Sequence, residues 1–335
     1  MQAATTVIIS PRDRYSGLDR CVRTLIARTP VPFDLWILDL GYPERVLAPV
    51  RRLLEGRAGA RIVPLGRMIP MDALRAVRED VRTDTVVLLD NDSEVTQGWL
   101  APLQAALQGP VTVASPLILE RAGVDPGAPV RNHLSTAQLR AVEVDRRTYL
   151  IEHKHQRRAL VSELPRQITP TGTFELHCVM FSTATFKAIE LPSMVIREHL
   201  DISLQVMARG EQLAVVPDSV VVFDNLGTRM RLSDMRYFFY RWSPRLTRAA
   251  SRLFERRWGY RFYSEQSMYN WVFRRKLFLL ARWLWLPNGA ANLVARAGKR
   301  LLRRDWDPLP DAEARSRPLQ PSDLPRLPQA SHAIR

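Results

Sequence analysis

The sequence predicts an α/β fold, a mostly parallel β-sheet flanked by helices with a separate basic, aromatic-rich helical extension. Three observations predict it. Short apolar runs alternate with stretches of helical spacing through the first two-thirds of the chain. Two of those apolar runs end in aspartate, at Asp39 and Asp90. All of the excess positive charge sits in the last third.

In chain order, "TTVIIS" (5–10) reads as a β-branched strand, and "GLDRCVRTLIART" after it has helical spacing. "DLWILDL" (34–40) is a buried strand closed by the turn signal Gly41-Tyr42-Pro43, with helical "RVLAPVRRLLE" following. "ARIVPL" (60–65) is a strand, "MDALRAVREDV" (71–81) a helix and "DTVVLLD" (84–90) a strand. "GWLAPLQAALQG" reads as a helix and "VTVASPLI" (111–118) as a fifth strand. Strands separated by helices of about ten residues imply βαβ units, and such sheets place ligands at the carboxyl ends of their strands. Residues 120–172 are too long for a simple connection and predict an insertion or acceptor-side lobe, with a helix over about 135–162. "HCVMFSTATFKAIEL", helical "REHLDISLQVMARG" and strand-like "LAVVPDSVVVFD" complete a domain expected over residues 1–224. Residues 225–304 are expected to form the basic helical extension, and 305–335 a Pro-rich disordered tail.

Residues 1–224 hold 26 Lys+Arg against 26 Asp+Glu, and residues 225–335 hold 23 against 8, which accounts for the whole net charge of +15. Two units with different surroundings are implied. Two distant cysteines, Cys21 and Cys178, suggest no disulfide framework and a reducing compartment. "MQAATTVIIS" lacks the charged segment and apolar core expected of a signal peptide. The absence of CxxC or HxxxH spacing argues against structural zinc.

The acidic turn Asp90-Asn91-Asp92 carries the chemistry. Carboxylates at i and i+2 repel unless a cation sits between them, and hard oxygen ligands suit Mg²⁺ or Mn²⁺ completed by phosphate oxygens. A strand-end turn favours the same residue types, so the triplet alone does not decide. The longer stretch "VVLLDNDSEVTQGWL" resembles the metal-binding segment of family 2 glycosyltransferases of GT-A fold. "TVIISPRDRYSGLDRCVRTL", "WILDLGYPE", "HCVMFSTATFKAIEL" and "REHLDISLQVMARGEQLAVVPDSVVVFD" resemble further segments of that family in the right order. The resemblance implies that Asp90 and Asp92 hold a divalent metal and the nucleotide diphosphate. It puts Arg12, Asp13, Asp39 and Asn91 beside the donor nucleotide, with Arg75 and Asp72 as further donor-side candidates where the family pattern departs. Asp224, ending the last strand, lies near where relatives carry a metal-ligating His.

Glycosyl transfer with inversion needs a group that takes the acceptor hydroxyl proton. Where the family usually has Glu-Asp, this chain reads Glu198-His199-Leu200-Asp201. Imidazole is competent near neutral pH. His199 is the first candidate, with Glu198 and Asp201 as alternatives that helical spacing puts near one face. His177 reads as a buried, satisfied His, His153 and His155 as solvated, and Trp99 as core or an acceptor-side wall.

Between 229 and 304, 19 Lys+Arg face 3 acids, and Arg245, Arg248, Arg252 and Arg256 share a helical face. "KLFLLARWLWL" is too short to span a bilayer but suits an interfacial helix on anionic lipid; the alternative is that these aromatics pack on the catalytic domain with the arginines solvated, and nucleic acid is disfavoured for want of a recognised motif. The expectation is a metal-dependent, inverting hexosyltransferase using a nucleotide-diphosphate sugar and a glycan or lipid-linked acceptor. It would be cytoplasmic, or peripheral on the inner membrane face. An inactive scaffold of the same fold and a sugar-nucleotide nucleotidyltransferase are the alternatives, the latter lacking a good Gly-rich phosphate loop in "SPRDRYSG".

Overall fold

The computed structural model describes residues 4–121, 130–156, 159–164, 166–223, 230–262, 265–301 and 312–325. Strand β1 (Thr5–Ser10), helix α1 (Leu18–Arg28), β2 (Asp34–Asp39), α2 (Glu44–Leu54), β3 (Ala60–Pro64), α3 (Pro70–Val77) and β4 (Thr85–Asp90) form the βα-alternating first half of the sheet. Then come β5 (Ser93–Val95), α4 (Leu100–Ala106), β6 (Val111–Arg121), β7 (Val130–Leu134), β8 (Ala137–Val144), β9 (Arg147–Lys154), β10 (Thr169–Thr171) and β11 (Cys178–Ser182). Helices α5 (Thr183–Ala188) and α6 (Glu198–Ala208) precede the long strand β12 (Gln212–Phe223). The C-terminal region holds α7 (Leu232–Arg241), α8 (Pro244–Trp258), β13 (Arg261–Phe262), α9 (Glu265–Trp283), α10 (Asn288–Leu301), α11 (Ala312–Arg315) and β14 (Arg317–Pro318).

The main sheet runs β10-β12-β6-β11-β4-β1-β2-β3, with β5 on β12 and β7 on β6. It is mixed. Strands β3, β2, β1 and β4 are parallel, as are β6 and β12, and β11 runs antiparallel between β4 and β6. The strands alternate as a sheet covered on both faces should. Val7, Ile9, Leu35, Ile37, Val87 and Leu89 join one apolar cluster. Ile8, Trp36, Leu38, Val86 and Leu88 join the cluster on the opposite face. Each such side chain contributes about 1.5–3 kcal/mol on burial.

Two expectations are corrected. The helix expected over 135–162 is instead the hairpin β8–β9, paired from Ala137↔Lys154 to Val144↔Arg147. Asp145 and Arg146 turn it with φ of 50° and 60°. That is the left-handed pair of a type I′ turn, usually signalled by Asn-Gly or Asp-Gly and here unsignalled. The tail is not wholly irregular either. Residues 312–325 add β14 to β8 and bury Ser316 and Leu319, and the Arg317 guanidinium donates to Asp323 at 2.6 and 2.8 Å. A second sheet, β13-β9-β8-β14, results, and α6, α7 and α8 close a third apolar cluster against it.

Candidate functional site

Register sets the site. Ser10 pairs with Asp90 across β1 and β4, so the loop 11–17 leaves the sheet beside the acidic turn. The Asn91 backbone N–H donates to Ser10 O (3.0 Å). Its side chain accepts from Arg12 N (3.1 Å) and donates to Arg14 O (2.7 Å), which pins the loop to the turn. A Cβ on Gly17 would lie 2.6 Å from Asn91 O, so only glycine allows this approach.

On the other side of β4, β11 pairs antiparallel with Cys178 opposite Leu89. One residue earlier, His177 therefore faces Asp90, and its carbonyl accepts from Asp90 N at 3.2 Å. His177 Nδ1 lies 3.1 Å from Asp90 Oδ2 and 3.9 Å from Asp92 Oδ1. The imidazole is stacked on Phe223 (3.9 Å between centroids, 12° between planes), which fixes its plane. Asp90, Asp92 and His177 each offer a ligand atom within 4.8 Å of the others, and all three residues are buried. Asp90 Oδ2, Asp92 Oδ1 and His177 Nδ1 are buried and make no hydrogen bond among the described residues. Orphaned buried polar atoms are costly, and two carboxylates with one imidazole make a donor set that fits a divalent cation. Burial raises the Asp92 carboxyl above its usual range, against the pull of His177 and Arg14. The expectation for His177, a satisfied core histidine, is corrected: the sequence hides that β11 lies next to β4.

Around this triad runs an ion-pair chain. Arg12 Nε lies 3.5 Å from Asp90 Oδ2, and its Nη1 donates to Glu198 Oε1 at 2.9 Å. Arg241, 1% exposed in α7, lies 3.4 Å from the same Glu198 oxygen and donates to Asp13 Oδ1 at 2.6 Å. Trp242 Nε1 donates to that Asp13 oxygen as well (2.8 Å). Burial pushes the Glu198 carboxyl up, but Arg12 and Arg241 outweigh it and hold it below its usual range. Asp13 likewise ends low, burial being outweighed by Arg241 and Arg12. Asp234 in α7, fully buried, accepts from Tyr15 N (2.8 Å) and Ser16 N (3.1 Å), so the C-terminal region fastens the loop 11–17.

A second cluster adjoins it. His199, 6% exposed, has Nε2 3.6 Å from Glu152 Oε1 on β9, and both its ring nitrogens are without a hydrogen bond among the described residues. Glu152 Oε2 meets Arg197 at 3.3 Å. Lys154 Nζ lies 2.5 Å from Glu175 and 3.7 Å from Glu152. Glu152, Glu175 and His199 could by geometry hold a metal, but Lys154 and Arg197 already neutralise both carboxylates. Burial pushes the Glu152 carboxyl up; Lys154 and His199 outweigh it and hold it at about 2.

The remaining sequence candidates divide. Asp39 ends β2, and its Oδ1 accepts from Gly41 N (3.0 Å) and Tyr42 N (2.8 Å), shaping the turn there. Asp72 and Arg75 pair with each other (3.2 Å), Asp72 accepts from Ser193 and Arg75 donates to the Leu191 carbonyl. Asp201 is a correction. It shares α6 with Glu198 but is fully buried against α8, accepting from Trp258 Nε1 (2.8 Å) and Gln205 Nε2 (2.7 Å). Helix α6 is buried on all sides from Glu198 to Val206, so three residues of spacing carry the two carboxylates to different neighbours. Asp224 lies outside the described residues. Trp99 is core, its Nε1 donating to Thr29 Oγ1 at 2.9 Å, and His153 pairs with Glu313 of the tail.

Residues 6–165, a little under half of the chain, match the family model described as Glycosyl transferase family 2. No curated protein matches. Among solved structures, one of GalNAc-T7 with UDP, GalNAc and Mn²⁺ aligns at 17% identity and TM-score 0.50, covering 71% of this chain. This chain spans about half of that one, 47%. Mannosyltransferase PcManGT from Pyrobaculum calidifontis, in complex with GDP-Man and Mn²⁺, aligns at 14% identity, TM-score 0.45, over 89% of this chain and 74% of its own. TarS 1–349 from S. aureus, in complex with UDP-GlcNAc, aligns at 10% identity, TM-score 0.47, over 91% and 93%. The first of these likenesses supports the GT-A fold.

Proposed function

We propose a function from one premise: over residues 6–165 this chain belongs to glycosyl transferase family 2. It transfers a hexose from a nucleotide-diphosphate sugar to a hydroxyl of a glycan or lipid-linked acceptor, with inversion. The observation that carries this is the convergence of Asp90, Asp92 and His177 at the strand ends, with their facing atoms buried and without hydrogen bonds. These three residues would hold Mn²⁺ or Mg²⁺. When bound, that ion would neutralise negative charge on the diphosphate leaving group. The solved GalNAc-T7 structure contains UDP and Mn²⁺, in keeping with this reading.

Arg12 is the donor-side cation, aimed at Asp90 and suited to a diphosphate oxygen. Asn91 and Gly17 hold the loop that carries it. Asp39, at the end of β2, would contact the ribose or base. Asp13 serves by anchoring the loop to α7.

His199 is the base. Glu152 next to Nε2 favours a proton on that nitrogen and leaves the Nδ1 lone pair to take the acceptor proton. Glu198 is the poorer base, because Arg12 and Arg241 hold its carboxylate ionised and weakly basic. Asp201 is committed to Trp258 and Gln205. The basic C-terminal helices support a peripheral place on an anionic membrane, on its cytoplasmic face. Among the described residues no helix is long and apolar enough to cross one.

The test is thermal stabilisation by UDP, GDP, dTDP and CDP with Mn²⁺ and with EDTA, alongside Asp92→Ala. A shift with one nucleotide, lost in EDTA and in the variant, is expected and names the base of the donor. No shift with any nucleotide would favour the inactive scaffold.

A further inference from the structure

Seven of the twelve large apolar side chains exposed among the described residues lie between 280 and 301, so they form a patch rather than a scatter. Trp283, Leu284 and Trp285 are 46%, 65% and 78% exposed at the end of α9. Leu293, Val294 and Leu301 are 67%, 45% and 85% exposed on α10. The other side of α10 is used up: Ala291 and Ala295 are buried, and a Cβ on Gly298 would lie 2.5 Å from Leu277 Cδ1 of α9. Counting back along the antiparallel pair from that contact brings Leu293 level with Arg282, beside the tryptophans.

The turn that presents them is defined. Leu286 N donates to Ala281 O (3.1 Å) and Trp285 N to Arg282 O (3.1 Å), closing α9 through a left-handed residue. The Arg282 guanidinium donates to Leu286 O at 2.9 Å. The left-handed residue is Trp285, φ 68°, where glycine is the usual occupant. A bulky, exposed side chain kept at a disfavoured backbone position points to use of that side chain. Residues 266–301 contain seven Lys+Arg and no Asp or Glu; Lys276 donates to the Trp242 carbonyl and Arg282 to that of Leu286, while Arg274, Arg296 and Arg300 are exposed. A protein partner would need acidic groups in matching register around the patch; an anionic bilayer supplies them along the whole face.

We propose that the Trp283–Trp285 tip and the exposed face of α10 lie in the interface of an anionic lipid bilayer, the aromatic and leucine side chains among the headgroups and acyl boundary and the arginines on lipid phosphates. This rests on the peripheral-membrane reading and not on the transferase reading, since it needs neither donor nor metal.

The experiment is co-sedimentation of the full chain with vesicles of phosphatidylcholine alone and of phosphatidylcholine mixed with phosphatidylglycerol, with and without added salt. Wild type is expected to bind the mixed vesicles, more weakly at high salt, and neutral vesicles poorly. The triple variant Trp283→Ser, Leu284→Ser, Trp285→Ser is expected to lose at least tenfold in binding with unchanged circular dichroism. Trp285→Gly should bind less while melting no lower than wild type, which a merely structural tryptophan would not do. If wild type binds and the variants bind equally, this face is wrong and the peripheral reading stands. If wild type binds no vesicles, both fail; self-association of wild type that the triple variant abolishes would then assign the patch to a second copy.

Discussion

His177 Nδ1 lies 3.1 Å from Asp90 Oδ2, brought there by the antiparallel pairing of β11 with β4. Neither atom makes a hydrogen bond among the described residues. If the pair serves a cation with Asp92, His177→Ala should weaken Mn²⁺ affinity by more than about 10- to 100-fold, the loss that follows removal of a mere outer-shell partner of a ligand. Mn²⁺ titration followed by electron paramagnetic resonance measures this without turnover. Equal affinity in wild type and variant would remove His177 from the site.

On the proposed reading His199 is the base and Asp201 is scaffold. His199→Ala should lower kcat by about 10²- to 10⁴-fold, as loss of a general base does, with the donor KM little changed. Glu152→Gln should lower kcat less, because it acts through the imidazole that it orients. Asp201→Asn should leave kcat nearly intact while lowering the melting temperature, since the carboxylate accepts from Trp258 and Gln205 in the core. Unchanged kcat in His199→Ala would return the base to Glu198.

Arg241 is 1% exposed between Asp13 and Glu198. Arg241→Ala would leave the buried Glu198 carboxylate with Arg12 alone and the partly exposed Asp13 carboxylate without its guanidinium, a loss of up to about 3–5 kcal/mol, the range for breaking a buried pair. Urea unfolding checks it. Within that variant the loop 11–17 should also become easier to cleave with protease, because Asp13 is one of its anchors.

Gly17→Ala puts a methyl group 2.6 Å from the Asn91 carbonyl oxygen, and backbone is the obstacle. Overpacking of this kind costs about 1–3 kcal/mol. The same change should raise the donor KM, since it pushes Arg12 away from Asp90. A variant that unfolds in urea at the wild-type midpoint would contradict the close approach.

Acid stability depends on Glu152. Its carboxyl is held at about 2 in the fold, against 4.5 as the ordinary value, by Lys154 and His199 acting against burial. A depressed acid contributes stability above its unfolded pKa and loses it as pH falls through the folded one. Wild type should therefore lose this part of its stability between about pH 4.5 and 2. Glu152→Gln should be less stable at neutral pH and show a flatter profile across that window, as read by chemical denaturation at each pH.

The sequence by itself determined the βα alternation of the first half and the position of Asp39 and Asp90 at strand ends. It did so because continuous apolar runs such as "VVLL" must bury both faces of a strand, and such a strand ends in a turn at the carboxyl edge of the sheet. It also placed the basic, aromatic segment last, since charge and composition need no fold to be counted. Local pattern misled where two states share it: "AQLRAVEV" suits a helix or a strand, and the Asp145-Arg146 turn carries no glycine to announce itself. Only the tertiary structure decided the rest of the site. His177 reaches Asp90 through β11, Glu152 reaches His199 through the β8–β9 hairpin, and Arg241 and Asp234 reach the loop 11–17 from α7. The physical reason is common to all four. Each meets its partner across a long span of chain, through strand pairing, ion pairing or, for Asp234, hydrogen bonds from the loop backbone, and no local periodicity encodes which distant segment a buried charge will meet.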